Sequence, residues 1–176
     1  MELVFADVLD NQDWIEQIRQ LMIAGDKEFI PPLSSRSSPT QASLQPGESG
    51  SVEPYLQDML KQRFVLAMEG QTVAGFMSYK TDYQSEEVKE LPNLYASTCI
   101  VGEAFRGRGM MLSFYQAMLA RYPQAHLYTR TWGTHYGHLK VLDKLGAKCF
   151  VRLPDHRGPG IDTVYYHRLP DHLRKV

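Results

Sequence analysis

Cysteine is nearly absent from this 176-residue chain: Cys99 and Cys149 are the only two, both in apolar, strand-like surroundings, and no second pair exists to build a disulfide framework or a zinc site. An excess of either charge is lacking too, since 19 Lys and Arg stand against 20 Asp and Glu for a net charge of −1. That balance gives no global electrostatic reason to expect nucleic acid or an anionic membrane as partner. No apolar run approaches the roughly 20 residues of a membrane-spanning helix, and the opening MELVFADVLDNQDW has acidic residues but no basic segment of the kind that begins a secretion signal. The expectation is a reducing, cytoplasmic protein, and the length suits one domain spanning residues 1–176.

What is present reads as alternating strands and helices. Glu2 to Leu9 has strand character, and Asn11 or its acidic neighbours offer a cap to a helix carrying Trp14, Ile15, Ile18, Leu21 and Met22 at helical spacing. Residues 31–50 turn to Ser, Pro, Gly and Gln, which reads as a long mobile loop that either gates a substrate or is slack. A short helix over Glu53 to Lys61 follows. Phe64, Leu66 and Met68, then Val73, Gly75 and Met77, flank Glu69-Gly70-Gln71 as an antiparallel hairpin. Further strands fall at Tyr95 to Val101, His126 to Trp132, Cys149 to Leu153 and Thr163 to Arg168, with helices from about Gly109 to Arg121 and Tyr136 to Leu145. The sum is a mixed α/β (α+β) domain of about seven strands and four helices, without repeats.

Chemistry concentrates between the strand ending at Val101 and the helix near Gly109. Gly107 and Gly109 allow the backbone to curl so that successive N–H groups point into one concavity, and the following helix adds its unpaired N–H groups and positive dipole end. Such a concavity fits phosphate, with Arg106 and Arg108 as reinforcement; the alternative is an ordinary strand-to-helix turn. Met110-Met111 stands where a nucleotide-binding P-loop needs Lys-Ser or Lys-Thr, and the third glycine of the dinucleotide fingerprint is missing, so ATP hydrolysis and NAD binding are both disfavoured.

The run Val101-Gly102-Glu103-Ala104-Phe105-Arg106-Gly107-Arg108-Gly109-Met110-Met111-Leu112 resembles the cofactor loop of the GNAT N-acetyltransferase superfamily, and Leu142-Asp143-Lys144-Leu145-Gly146-Ala147 resembles that family's characteristic helix end. The similarity spans roughly Arg63 to Leu169. It implies a central, mostly antiparallel sheet with a splayed fourth and fifth strand. Acetyl-CoA is the implied cosubstrate, with no metal. Its diphosphate would be held by backbone N–H groups of Arg106, Gly107, Arg108, Gly109, Met110 and Met111, and its pantetheine arm by Cys99, Ile100 and Val101. A backbone N–H near Val101 would polarise the thioester carbonyl. His135 stands where Asn is frequent and joins this cofactor set. The chain departs from the family pattern at Glu103, where Pro is usual, at Met111, where Gly or Ala is usual, and at Leu142, where many members carry the tyrosine that protonates the departing thiolate.

Acyl transfer to an amine needs the amine neutral, and an ammonium of pKa about 10.4 is deprotonated only about one part in two thousand at pH 7, a handicap of about 4–5 kcal/mol. Glu103, at the mouth of the fourth strand, is the candidate general base, with Tyr95 or Ser97 acting through water as lesser ones. Tyr136 and His138 are candidates for the acid. His135 and His138 lack further ligands for a metal and read as structural. Arg157 and Asp162, in the turn before the last strand, are candidate acceptor contacts, and Trp132 a core or stacking wall. The expected acceptor is a small-molecule or peptide amine, and exposed final strands are compatible with a homodimer. The competing readings are a non-catalytic acyl-CoA sensor and a protein-interaction domain of the same fold.

Overall fold

The computed structural model describes residues 1–175. Its strands are β1 (Glu2–Ala6), β2 (Arg63–Glu69), β3 (Thr72–Thr81), β4 (Asn93–Val101), β5 (His126–Trp132), β6 (Lys148–Leu153) and β7 (Thr163–Arg168). They form one seven-stranded sheet in the order β1-β2-β3-β4-β5-β7-β6, with every adjacent pair antiparallel except β4 and β5. The mixed α/β architecture is therefore as expected. Four helices flank it: α1 (Gln12–Gly25), α2 (Glu53–Met59), α3 (Met110–Arg121) and α4 (Tyr136–Lys144). No described helix is long and apolar enough to cross a membrane.

The two-residue alternation of the strands sorts their side chains into two cores. Phe64, Leu66 and Phe76 pack with Ile15, Ile18 and Met22 of α1 and Tyr55 and Leu56 of α2. Val65, Ala67 and Met77 face the other way, onto Met110, Phe114 and Met118 of α3 and Leu142 of α4. Helix α1 starts where the sequence offers a cap, with Asn11 Oδ1 accepting from Trp14 N–H at 3.1 Å. The hairpin between β2 and β3 turns at Gly70, whose φ of +59° a glycine adopts without strain.

The fold positions its site by an interrupted pairing. β4 and β5 are in register only from Asn93↔His126 to Ala96↔Thr129. Beyond that point β4 stays paired to β3 as far as Val101↔Gly75, and β5 to β7 as far as Trp132↔Thr163, so the two strands part while each keeps its outer neighbour. The register with β3 skips from Ala96 to Thr98, which makes Ser97 the extra residue of a bulge that bends β4 where the separation begins. Thr129 Oγ1 donates to the Ala96 carbonyl at 2.9 Å and closes the ladder there.

Residues 31–50 differ from the mobile loop expected from their composition. Leu33 and Leu44 are fully buried, Asp26 accepts from Ser34 N–H and Oγ–H at 2.7 and 2.6 Å, and Ser38 Oγ donates to Asp58 at 2.6 Å. Arg130 Nη2 donates to the carbonyls of Pro39 and Gln41, and Arg157 Nη1 to that of Ile30. Ser34 and Ser38 are paired with carboxylates outside the segment, and the segment becomes a wall beside the open end of β4 and β5; its longest exposed run is 45–50.

Gly75 has no room for a side chain, since a Cβ there would stand 2.8 Å from the Ile100 carbonyl oxygen and 2.9 Å from Met110 Sδ. Gly75→Ala is expected to lower the unfolding free energy by about 1–3 kcal/mol, measured by urea denaturation.

Candidate functional site

A cavity of about 630 Å³ occupies the gap between the diverging ends of β4 and β5. Cys99, Ile100 and Val101 form one side, the loop after β4 and the start of α3 form its outer end, and Trp132, His135, His138 and Val141 form the opposite side. Gly102 N–H donates to the Ala74 carbonyl, which sets the alternation of the antiparallel ladder and turns the peptide groups of Cys99 and Val101 away from β3, into the gap. The Val101 carbonyl is used by Arg106 Nε at 3.1 Å.

The loop's backbone is curled as the glycines permit, with φ of +76° at Gly107 and +73° at Gly109. Gly109 is the N-cap of α3 and contributes no side-chain cap. Among the described residues, the N–H groups of Gly107 through Leu112 find no backbone or side-chain acceptor. A Cβ built on Gly107 or Gly109 would meet nothing within 4 Å, so the space over the loop is open. Unpaired donors at a helix N-terminus, facing open space, form a receptor for an anionic group such as a diphosphate. The residues therefore fit the phosphate-bearing cofactor that the loop motif implies.

Most of the expected binding residues meet in this cavity: Cys99, Ile100, Val101, Arg106, Gly107, Gly109, Met110, Met111 and His135 all line it. Arg108 does not; its guanidinium lies over the Phe105 ring, 5.7 Å from the centroid, leaving only its N–H to the loop. The side chain of Arg106 is committed to a two-pronged ion pair with Glu28 at 2.8 and 2.9 Å, which ties the loop to the turn following α1.

The two expected catalytic residues are placed elsewhere. Glu103 sits in a single exposed 3₁₀ turn after β4 and lines neither this cavity nor the smaller one beside it. Tyr136 begins α4 on the face turned to solvent, 67% exposed, while its neighbours His135 and His138 line the cavity. Leu142 is fully buried in the core beneath α4.

A smaller cavity of about 40 Å³ adjoins the first and shares with it Phe29, Cys99, Met111, Trp132, His135 and His138. Its remaining lining is polar: Ser97, Thr131, Arg36, Arg130 and Arg157, with Pro39. At the junction His135 stacks on Trp132 with ring centroids 4.3 Å apart. Burial, and then the positive charge of Arg157, hold the His135 imidazole below its ordinary pKa, so it is neutral at pH 7. Burial pushes His138 down to about 3 and the Cys99 thiol up to about 12. His138 Nε2 meets the Tyr115 hydroxyl at 2.8 Å; with that hydroxyl donating, Nδ1–H is free to donate in turn.

Sequence reasoning missed Glu28, Phe29, Arg36 and Arg130. Arg130 carried a signal, a cation among the β-branched and aromatic residues of β5; the others lie in stretches whose composition does not announce a site.

The model of the acetyltransferase (GNAT) family matches residues 33–146. No curated protein sequence matches the chain. Among solved structures, the aminoglycoside 6'-N-acetyltransferase from Enterococcus faecium is similar with a TM-score of 0.69 at 12% identity, over 100% of this chain and 99% of its own. Arabidopsis thaliana NAA60, in complex with a bisubstrate analogue, gives 0.63 at 14% identity over 96% and 98%. The NatC complex bound to Gag peptide and CoA gives 0.62 at 16% over 97% and 99%. At such identities the likeness is one of fold.

The depressed His138 gives the site a pH signature. Its folded-state pKa lies below the unfolded value near 6.5, so the unfolded chain takes up a proton first, and stability falls as pH drops from about 6.5 toward 3. The expected contribution is at most about 1.4 kcal/mol per pH unit. Urea unfolding of the wild type and of His138→Gln across that range should show this component only in the wild type.

Proposed function

The chain belongs to the acetyltransferase (GNAT) family, and we propose that it moves an acetyl group from acetyl-CoA to a primary amine of a small molecule or peptide, by direct attack in a ternary complex. The observation that carries this reading is the meeting, in one cavity, of the free N–H groups of Gly107–Leu112 with the peptide groups of β4 that face the gap. The first set suits a diphosphate. The second suits the amides of a pantetheine arm laid in place of the missing strand pairing, with Val101 N–H directed at the thioester carbonyl as the oxyanion donor.

His135 takes the role first given to Glu103. It is the neutral imidazole at the junction of the two cavities, positioned to accept the proton of an amine approaching from the smaller one. The amine nitrogen bonds to the acetyl carbon, the carbon–sulfur bond breaks, and the proton shed by the amine ends on the thiolate. No external proton is consumed. His138 lies one turn before Leu142 on the same face of α4 and offers its Nδ1–H to the departing sulfur. Cys99 lines the cavity, but its high pKa keeps the thiol protonated, which disfavours an acetyl-cysteine intermediate.

A second reading, an acyl-CoA-binding domain without turnover, is favoured by the buried Leu142 and the outward Tyr136, which leave no hydroxyl at the family's usual acid position.

Calorimetric titration should show micromolar binding of acetyl-CoA and CoA and none of ATP, and incubation with amines should release free CoA. Binding without release in any amine would establish the second reading, and absence of binding would defeat both. Gly109→Val, forced out of its left-handed conformation at a cost of about 1–2 kcal/mol, should retain the fold while losing CoA affinity at least tenfold. His135→Gln should lower kcat by about 10²-fold or more and abolish the acid limb of the pH–rate profile below about pH 6.5, because the base works only when unprotonated.

A further inference from the structure

The smaller cavity is built from three arginines that have no acid to answer them. Arg36 is 7% exposed and Arg157 3%, and Arg130 lies beside them in the same lining. Among the described residues none of the three takes part in a salt bridge. Their positions are fixed by neutral partners. Arg157 lies over the Trp132 ring at 5.4 Å and donates to Thr163 Oγ1 and the Ile30 carbonyl; Arg130 donates to the Pro39 and Gln41 carbonyls; Arg36 lies over the Tyr55 ring at 5.1 Å. Arg36 Nε is buried without a hydrogen-bond partner, and so is Ser97 Oγ at the β4 bulge. Burial, followed by the charges of Arg36 and Arg130, lowers Arg157 to about 9.

Buried guanidinium groups held together without a counter-charge are costly, and an arriving carboxylate removes the cost by accepting the unused N–H donors, often two at a time. The cavity is small, about 40 Å³, a size that suits a compact anion such as a carboxylate. The anion is also attached to something that reaches His135, because the cavity opens into the larger one at that side chain. In an α-amino acid the amine is two bonds from the carboxyl carbon, which puts the nitrogen at the junction when the carboxylate is inside.

We propose that Arg36, Arg130 and Arg157 form the acceptor-carboxylate subsite, and that the acceptor is a small free amino acid. The inference rests on the acetyl-transfer reading and narrows its acceptor. It assigns the wall of residues 31–50 a role as well: that segment brings Arg36, and its carbonyls hold Arg130 in place. A peptide N-terminus lacks a carboxylate next to its amine and does not meet these requirements.

The test compares free L-amino acids with their methyl esters, their amides, the matching decarboxylated amines and short peptides with neutral or acidic N-terminal residues, following CoA release. Free amino acids should be acetylated, with kcat/KM at least 100-fold above the ester, amide and amine of the same side chain. Equal rates for acids and esters, or a preference for peptides, would overturn the proposal. Arg36→Gln and Arg157→Gln should each raise the KM for amino acid at least 30-fold and leave acetyl-CoA affinity by calorimetry within threefold; Arg36→Lys should recover part of the loss. Unchanged KM in variants with wild-type melting temperatures would also overturn it. Direct calorimetry of the amino-acid panel and of N-acetylamino acids, without acetyl-CoA, separates this inference from the reading beneath it. Carboxylate binding that the Arg36 and Arg157 variants lose upholds the subsite even if transfer is absent, and no binding of any carboxylate refutes it even if other amines are acetylated.

Discussion

Everything about the site depends on one missing stretch of hydrogen bonding. β4 and β5 pair through Ala96↔Thr129 and then separate, each still held by its outer neighbour. A parallel ladder that continued to Val101 would bury its peptide groups in pairing and leave no room between the strands. The Ser97 bulge bends β4 away, and Thr129 Oγ1 takes the Ala96 carbonyl, so the break is finished off with a hydrogen bond rather than left frayed. The gap and its inward-facing backbone groups follow directly.

From that gap two kinds of recognition diverge. Toward the start of α3 the surface is made of main-chain N–H groups, positioned by left-handed glycines and a helix terminus. Toward residues 31–50 it is made of side chains, three arginines aligned by contacts to carbonyls and aromatic rings, with Ser97 beside them. His135 and His138 stand where the two meet, both kept neutral by burial. A neutral imidazole beside a cluster of cations is what an amine needs if it is to lose a proton while its carboxylate is held.

The parts legible in the sequence are those decided locally. The hairpin around Gly70, the Asn11 cap and the glycine loop at 107–109 each rest on conformations or hydrogen bonds within a few residues, and each stands in the structure where its residues predicted it. The parts that were not legible are decided at a distance. Residues 31–50 read as mobile because polarity was their visible property; their contacts come from Asp26, Asp58 and Arg130, none of which lies within the segment. Glu103 and Tyr136 had suitable chemistry and suitable positions along the chain, but the 3₁₀ turn and the phase of α4 leave both exposed and outside the cavity lining. Arg36, Arg130 and Arg157 come from a loop, a strand and a turn, and only the folded sheet makes them neighbours.

The unpaired amides of Gly107–Leu112 have a consequence for how such a chain drifts over generations. A grip made of peptide groups is encoded by chain path, so replacements at these positions leave it in place provided the two glycine conformations survive; Met111, bulky where small residues are customary, still has its N–H without a partner in the chain. The arginine wall has no such immunity, because each exchange there rewrites the charge it presents. If the larger cavity takes the acyl donor and the smaller one the acceptor, side-chain replacement alone can revise acceptor preference without any change of fold.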